Sequence, residues 1–284
     1  MSDMSQAIPR SGPPVVVIEP RRGLFNVDLA GLWKSRELLY FLVWRDIKVR
    51  YKQTIIGAGW AVFQPLMTML MFTAIFGLAA KIPSEGLPYP VFSFSALLLW
   101  SCFSQAVVRS SASLVGEAHL IKKIYFPRLI VPLSAVVCPL LDLCFSLPLL
   151  AGLLLVYGVI PGWSIVALPL FVMATLMIAV ALGLWLSALN AQYRDIGYVI
   201  PFVIQLGMYA SPIVYPVSLI PEQWQYLYNL NPMVGLIQGF RWTLFGGIPP
   251  SLDILAVNCV TVLVVFLGGI VYFRRIEPIL PDVI

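Results

Sequence analysis

Four basic side chains that could bind phosphate lie within one short stretch of the sequence, at Arg45, Lys48, Arg50 and Lys52. At helical spacing Arg45, Lys48 and Lys52 fall on one face. A second face carries the apolar residues Trp33, Tyr40, Trp44, Ile47 and Tyr51. A helix of this kind can rest on a bilayer, with its apolar face in the acyl boundary and its basic face near phosphates. The basic residues therefore either anchor the helix to anionic lipid or recognise a phosphate group.

Asp142 is the only clear ionisable residue in the middle of an apolar segment. Burying a carboxylate in hydrocarbon is costly, so such a residue is a candidate for function. The alternative is a hydrogen bond that packs two helices together. We favour this alternative because the sequence offers no obvious cation beside Asp142, and a proton relay would need more ionisable partners than one aspartate.

Motifs for catalysis and for metal binding are missing from the sequence. It has no GxxxxGK[ST] phosphate loop, no HExxH and no GxSxG. The single histidine is His119, and the four cysteines have neither metal-ligand spacing nor a CxxC pattern. We therefore expect no metal, no cofactor and no enzymatic activity in this chain, whose work must use energy supplied by another protein.

The composition is that of a membrane protein. Of the 284 residues, 60% are hydrophobic and 11% are charged, and the mean hydropathy is +0.91. This apolar share is too high for a soluble domain. Six segments are long enough to cross a bilayer, and each must be helical because no period-two alternation is present: 57–80, 91–112, 129–156, 164–189, 197–216 and 253–273. The sequence therefore predicts an all-α polytopic membrane protein.

The distribution of basic residues predicts the orientation of these segments. Sixteen of the 18 Lys and Arg residues fall on one face of the predicted bundle, and only Lys81 and Arg241 fall on the other. The positive-inside rule then places both termini in the cytosol, with residues 1–27 as an N-terminal tail. The net charge of +5 is explained by anionic lipid headgroups rather than by nucleic acid, because the basic residues cluster beside apolar segments.

Two connections are more than simple turns. The cytosolic connection 116–128 contains a short charged helix, which is either a docking site for a cytosolic partner or a solvated loop. Residues 217–252 are too long for a turn and too apolar for a soluble loop, and prolines interrupt them. Two short helices that dip into the outer leaflet would explain this pattern, and an external amphipathic segment is the alternative.

Aromatic residues are abundant near the predicted outer ends of the spans, at Phe72, Phe76, Phe92, Phe94, Trp100, Tyr209 and Tyr215. An interfacial belt is the common reason for such placement. Alternatively, some of these residues line a passage and stack on sugar rings.

Four blocks of sequence together resemble the membrane subunit of ABC-2-type exporters, and specifically the permeases for O-antigen, capsular polysaccharide or teichoic acid. The blocks are WRDIKVRYKQTIIGAGWAVFQPL from Trp44, LIKKIYFPRLIVP from Leu120, NAQYRDIGYVIPFVIQLGMYASPIVYP from Asn190, and YNLNPMVGLIQGFRW from Tyr228. They occur in the order found in the family.

The resemblance implies the ABC-2 (type V) exporter fold. It comprises an amphipathic interface helix at 28–55, a domain of six spans at 56–273 with outer gate helices at 217–250, and a cytosolic C-terminal tail at 274–284. The coupling helix at 116–127 would present Glu117, His119, Lys122, Lys123 and Tyr125 to an ATPase. The protein would be a homodimer in the bacterial cytoplasmic (inner) membrane, with two copies of a cytosolic ATPase that bind ATP and Mg.

The same resemblance implies a polysaccharide linked to polyprenyl pyrophosphate as the substrate. Its pyrophosphate would meet Arg45, Lys48, Arg50 and Lys52, and its sugars would pass the channel aromatics Phe72, Phe76, Trp100, Tyr209 and Tyr215. Two alternatives stay open: an ABC-2 permease for teichoic acid, capsule, a drug or a lipid, and a membrane transferase that acts on lipid-linked sugars. The transferase is disfavoured because the sequence has no cluster of carboxylates or histidines at one membrane face.

Overall fold

The computed structural model describes residues 29–52, 57, 59–247 and 249–280, and over these ranges it contains helices and no strands. The predicted N-terminal tail 1–27 lies outside the described residues. The helices are α1 (Leu29–Lys34), α2 (Arg36–Tyr51), α3 (Gly59–Phe72), α4 (Tyr89–Gly116), α5 (Ala118–Lys123), α6 (Ile130–Val156), α7 (Leu168–Gln192), α8 (Ile196–Tyr209), α9 (Glu222–Asn229), α10 (Pro232–Phe245) and α11 (Leu252–Ile276). A π-helical segment, Thr73–Ala79, extends α3, and 3₁₀ turns occupy Trp163–Ala167 and Val217–Leu219.

The centre of the bundle is α4, which packs against α3, α6, α7, α8 and α10. Small residues allow the close approach: a Cβ atom added to Gly183 of α7 would lie 2.2 Å from the Oγ of Ser110. The Ser110 hydroxyl donates to the backbone oxygen of Pro132 in α6 at 3.2 Å, and Asn190 of α7 donates to the backbone oxygen of Ser111 at 3.0 Å. These hydrogen bonds hold α4, α6 and α7 together. They specify which helices pack against each other, because between apolar helices in a membrane the hydrophobic effect favours no particular partner.

Five helical segments of the described chain are long and apolar enough to cross a membrane: Gly59–Ala79, Tyr89–Gly116, Ile130–Val156, Trp163–Gln192 and Asp253–Ile276. The sequence predicted a sixth at 197–216, but the helix there, α8, ends at Tyr209. Its 14 residues span about 21 Å, less than the hydrocarbon thickness of about 30 Å. The prediction was too long because Pro212 and Pro216 cannot continue the helix.

One end of the bundle gathers α2, α5, the last turns of α4, α7 and α11, and the start of α6. Its buried side chains form one apolar cluster: Leu42, Leu114, Ile121, Phe126, Leu129, Ile130, Val131, Leu184, Ala188, Ala191, Phe273, Ile276 and Leu280. Helices α2 and α11 therefore lie at the same end of the bundle. Leu280 is buried although it falls in the range predicted as a C-terminal tail. We refer to this end as the α5 end.

The opposite end contains two short helices between residues 217 and 250. The first, α9, exposes Trp224, Tyr226 and Leu227, whereas α10 buries most of its side chains against α4, α7 and α11. Arg241 of α10 is buried, and its guanidinium donates to the backbone oxygens of Phe92 at 3.0 Å and Ile213 at 3.3 Å. The sequence assigned Arg241 to the side opposite most basic residues, and in the fold it lies at the end opposite α5. There it ties α10 to α4 and to the chain after α8.

Candidate functional site

A cavity of about 360 Å³ lies between α3, α4 and α8, and we call it the α8 cavity. Its wall combines apolar side chains with six amide or hydroxyl side chains: Gln64, Thr68, Ser101, Ser104, Gln105 and Gln205. Gln64 and Gln205 are exposed on α3 and α8. An amide on this face would be poorly satisfied in lipid, so the lining indicates a surface that meets water or another protein.

Trp100 is the one predicted channel aromatic among the residues that line the α8 cavity. Tyr209 ends α8 directly after the lining residue Met208, and the Tyr215 hydroxyl donates to its backbone oxygen at 2.8 Å. Phe72 and Phe76 pack against each other edge to face, with ring centroids 5.5 Å apart. Of the five predicted channel aromatics, only Trp100 therefore lies on the wall of the α8 cavity.

A second cavity of about 360 Å³, the α2 cavity, lies between α2, α4 and α6. Three arginines line it, namely Arg45, Arg50 and Arg109. Arg45 donates to Asp46 at 2.8 Å and forms a two-pronged ion pair with Glu117, the residue before α5. The hydrogen bond to Glu117 is the main cause of a raised pKa of Arg45, opposed by burial. This ion pair joins α2 to α5.

Asp142 lies at the junction of α2 and α6, where it is 5% exposed. It forms an ion pair with Arg50 and accepts a hydrogen bond from the Tyr51 hydroxyl. Arg50 also donates to Gln105 of α4 at 3.0 Å. Burial, together with the bond to Asp142, raises the pKa of the Tyr51 phenol. The expectation that no cation lies beside Asp142 is wrong, because Arg50 reaches it from a different helix, far away along the chain.

The fold divides the four basic residues of α2 and its C-cap into two pairs. Arg45 and Arg50 point towards α4, α5 and α6, whereas Lys48 and Lys52 are exposed. The predicted separation of basic and aromatic faces is also wrong. The Lys48 ammonium lies 5.2 Å from the centroid of the Trp44 ring, and Tyr51 turns inward to Asp142. The outer face of α2 combines Tyr40, Trp44 and Lys48, and Trp33 of α1 is likewise exposed, which suits an interfacial position.

The predicted coupling residues surround α5, which is shorter than the predicted helix 116–127. His119, Lys122, Lys123 and Tyr125 are exposed, whereas Glu117 faces Arg45. Ile121 and Phe126 are buried and fix α5 to the bundle. The result is a small projection, anchored by these two side chains, that carries two lysines and an exposed tyrosine.

Several residues at the two cavities were missed by the sequence analysis. Arg109 lines both cavities, and Gln64, Gln105 and Gln205 supply amides. A glutamine within an apolar span was a readable signal, because such a residue has to avoid lipid. Among residues 29–52, 57, 59–247 and 249–280, no three His, Cys, Asp or Glu side chains gather as a metal site requires.

Comparison with known proteins identifies the family. The profile described as "ABC-2 type transporter" matches residues 37–245. The O-antigen export system permease protein RfbA of Myxococcus xanthus is 30% identical over 250 residues, which cover 87% of this chain and 95% of that protein. RfbA of Klebsiella pneumoniae is 28% identical over 242 residues, covering 85% and 92%. The polysialic acid transport protein KpsM of Escherichia coli is 23% identical over 243 residues, covering 83% and 92%. The family match covers α2 to α10, which include every helix that builds the two cavities. The chain therefore belongs to the ABC-2 type transporter family as a multi-pass membrane permease.

Proposed function

We propose that this chain is the membrane-spanning subunit of an ABC transporter that exports an O-antigen-like polysaccharide linked to polyprenyl pyrophosphate. The observation that carries the proposal is the match, over 85% or more of the chain, to proteins named as O-antigen export permeases. The α8 cavity supports it, because amides and hydroxyls can bond to sugar hydroxyls while Trp100 offers a ring face to sugar C–H groups.

In this proposal two copies of the chain form the transporter. The exposed face of α3 and α8 supports a homodimer, because it combines Gln64 and Gln205 with large apolar side chains such as Phe202 and Leu206. A second copy placed there would enclose a polar passage and shield these amides from lipid. The segment of α8 with residues 210–216 would then complete a sixth crossing beside the five long helices.

Energy comes from a separate ATPase, two copies of which bind ATP and Mg and dock at the α5 end. The exposed Lys122, Lys123 and Tyr125 are suited to enter a cleft on that partner. A displacement of α5 is transmitted to α2 through the ion pair between Glu117 and Arg45. From α2 it is transmitted to α4 and α6 through the contacts of Arg50 with Gln105 and Asp142. Because these contacts join whole helices, the response is a rigid-body shift that opens the passage.

The transporter resides in the bacterial inner membrane with both termini in the cytosol. The outer face of α2 rests at the inner headgroup level, where Lys48 and Lys52 meet anionic phosphates. At the other side, α9 and α10 form the outer gate. The buried packing of α10 and the exposed aromatics of α9 suit a pair in which one helix is fixed and the other meets the interface.

Genetic complementation tests the proposal. The gene is deleted from its host and replaced by the wild type, by an empty vector, or by wild type together with an ATPase whose phosphate-loop lysine is changed. We expect surface polysaccharide only with the wild type and an active ATPase, and lipid-linked glycan accumulating inside the cell otherwise. Normal surface polysaccharide in the deletion strain would overturn the proposal.

Capsular polysaccharide is the second candidate substrate, because KpsM, a polysialic acid transport protein, is also similar along most of the chain. The same strains distinguish the two substrates. Loss of capsule with unchanged O-antigen would replace the first candidate with the second.

A further inference from the structure

Arg109 lies on α4 at the point where the two cavities meet, and its side chain lines both of them. It is half-buried within the most enclosed helix of the bundle, whose membrane-spanning window is 78% buried. No other charged residue lines both the α2 cavity and the α8 cavity in the described chain. A ligand that entered from either cavity would therefore meet this guanidinium.

The other two arginines of the α2 cavity already have partners. Arg45 is held by Asp46 and Glu117, and Arg50 is held by Asp142 and Gln105. Arg109 forms neither an ion pair nor a side-chain hydrogen bond with any described residue, although Arg50, Asp46 and Asp142 act on it electrostatically. Its donors are thus available to a ligand.

A guanidinium without a carboxylate is costly at membrane depth, and an anion that binds it would offset this cost. The planar guanidinium offers parallel N–H donors that match two phosphate oxygens, which makes phosphate the ligand class it suits best. We infer that Arg109 binds a phosphate of the lipid-linked substrate at the junction of the two cavities. This inference rests on the proposed function, and it assigns the role of anion receptor to a residue outside the basic stretch of α2.

The position of Arg109 relative to Trp100 fits a phosphate joined to sugars. The two residues are nine positions apart on α4, which corresponds to about 13 Å along the helix. Ser101, Ser104 and Gln105 lie on the same cavity wall between them. A diphosphate at Arg109 would therefore place the sugars attached to it beside hydroxyls and an amide, and then beside the tryptophan ring.

Native mass spectrometry of the purified full-length chain in detergent can test this inference. The probes are polyprenyl diphosphate, polyprenyl monophosphate and phosphatidylglycerol, which differ in mass and are titrated separately. The variants are Arg109→Gln, Arg109→Lys and the control Arg194→Gln, which removes an exposed arginine between α7 and α8. Arg109→Lys keeps the charge but loses the paired donors.

We expect the wild type to bind polyprenyl diphosphate more tightly than phosphatidylglycerol. Arg109→Gln should weaken diphosphate binding about tenfold or more, since a hydrogen-bonded charge is lost. Arg109→Lys should be intermediate and Arg194→Gln unchanged. If Arg109→Gln does not fold, a loss of diphosphate affinity in Arg109→Lys supports the inference and wild-type affinity overturns it.

Two other results would overturn the inference. One is equal affinity of Arg109→Gln and wild type for the diphosphate. The other is an equal loss of affinity for diphosphate and phosphatidylglycerol, which would make Arg109 a site for bilayer phospholipid. Either result could occur in a chain that still restores surface polysaccharide to the deletion strain, and the proposed function would then stand without this inference.

Discussion

Asp142 and Arg50 form a largely buried ion pair, with side-chain exposures of 6% and 22%. Such a pair contributes little net stability, because desolvation of both charges offsets their attraction. Removal of one partner is a different matter, since it leaves the other charge buried and uncompensated. The pair therefore specifies how α2 sits on α6 more than it stabilises the fold.

Replacement of Asp142 by leucine should destabilise the protein by about 3 kcal/mol, because Arg50 then lacks its carboxylate. The double variant Arg50→Met/Asp142→Leu should recover most of this loss, since neither charge remains. Unfolding in mixtures of mild detergent and SDS measures both free energies. A double variant as unstable as the single one would show that the aspartate acts through Tyr51 or through packing instead.

The identity of these site residues was readable from the sequence, but their pairing was not. Asp142 was singled out because a carboxylate in an apolar span is unusual. Its partners Tyr51 and Arg50 lie 91 and 92 residues earlier, and no local pattern encodes a contact at that separation. From the sequence, Arg109 is one of the 16 basic residues that predict the orientation and nothing more, because the cavities that it lines are formed by α2, α3, α4, α6 and α8 together.

Helix α10 depends on two glycines that allow its neighbours to approach. A Cβ added to Gly239 would lie 1.9 Å from the Cε1 atom of the Phe171 ring in α7. One added to Gly235 would lie 1.7 Å from the amide nitrogen of Asn258 in α11. Both neighbours are buried, so neither can move away at low cost. The spacing of four residues places the glycines on one side of α10.

Gly239→Ala should destabilise the protein by about 1 to 3 kcal/mol, because overpacking forces the Phe171 ring or α10 itself to shift. Gly152→Ala in α6 is the matched control, since a Cβ there meets nothing within 4 Å. That control should be neutral or slightly stabilising, as alanine favours helix. Thermal unfolding in detergent, monitored by size-exclusion chromatography, compares the stabilities of the two variants. Equal stabilities would contradict the close packing of α10.

The short projection at α5 suits recognition by the ATPase that we propose as the partner. Exposed tyrosines that enter a pocket frequently dominate an interface, and Tyr125 is 74% exposed. Tyr125→Ala should weaken binding of the ATPase by about 2 kcal/mol, and Lys122→Glu/Lys123→Glu should weaken it further if the cleft is acidic. Affinity of the purified ATPase for the chain in nanodiscs is the measurement.

Tyr193→Ala provides a control for this prediction. Tyr193 is an exposed tyrosine that follows α7 at the same end of the bundle, but it lies outside α5. The Tyr193→Ala substitution should leave the affinity for the ATPase unchanged. Equal effects of the two alanine variants would indicate that the ATPase recognises the whole end of the bundle and that α5 has no special part.

The boundaries of most helices followed from the sequence, because long apolar runs and prolines mark them. The predicted spans 91–112 and 253–273 lie within α4 and α11, and the predicted span 129–156 begins one residue before α6 and ends with it. The π-helical end of α3 and the early end of α8 were not predicted. A periodic apolar pattern does not distinguish π-helical from α-helical turns. The apolar run continues past Tyr209, although Pro212 and Pro216 cannot continue α8.

At the scale of the whole molecule, charge is segregated between the two ends. The α5 end carries most of the described basic residues, which include Lys34, Arg36, Lys48, Lys52, Lys122, Lys123, Arg128, Arg194, Arg274 and Arg275. The opposite end carries Lys81 and the buried Arg241. Because basic residues are retained on the cytosolic side during insertion, the α5 end should face the cytosol. This is also the side on which an ATPase can reach α5.

Reporter fusions test this orientation and, with it, the proposed energy source. Green fluorescent protein fused after Ile284 should fluoresce, and alkaline phosphatase fused at Pro161, in the turn between α6 and α7, should be active, because each reporter works on only one side of the membrane. Phosphatase fused at Arg194 should be inactive, and this is the matched control across α7. An active phosphatase at Ile284 together with a dark fluorescent fusion would place α5 outside the cell. A cytosolic ATPase could then not contact α5, and the proposed coupling through Glu117 and Arg45 would be contradicted.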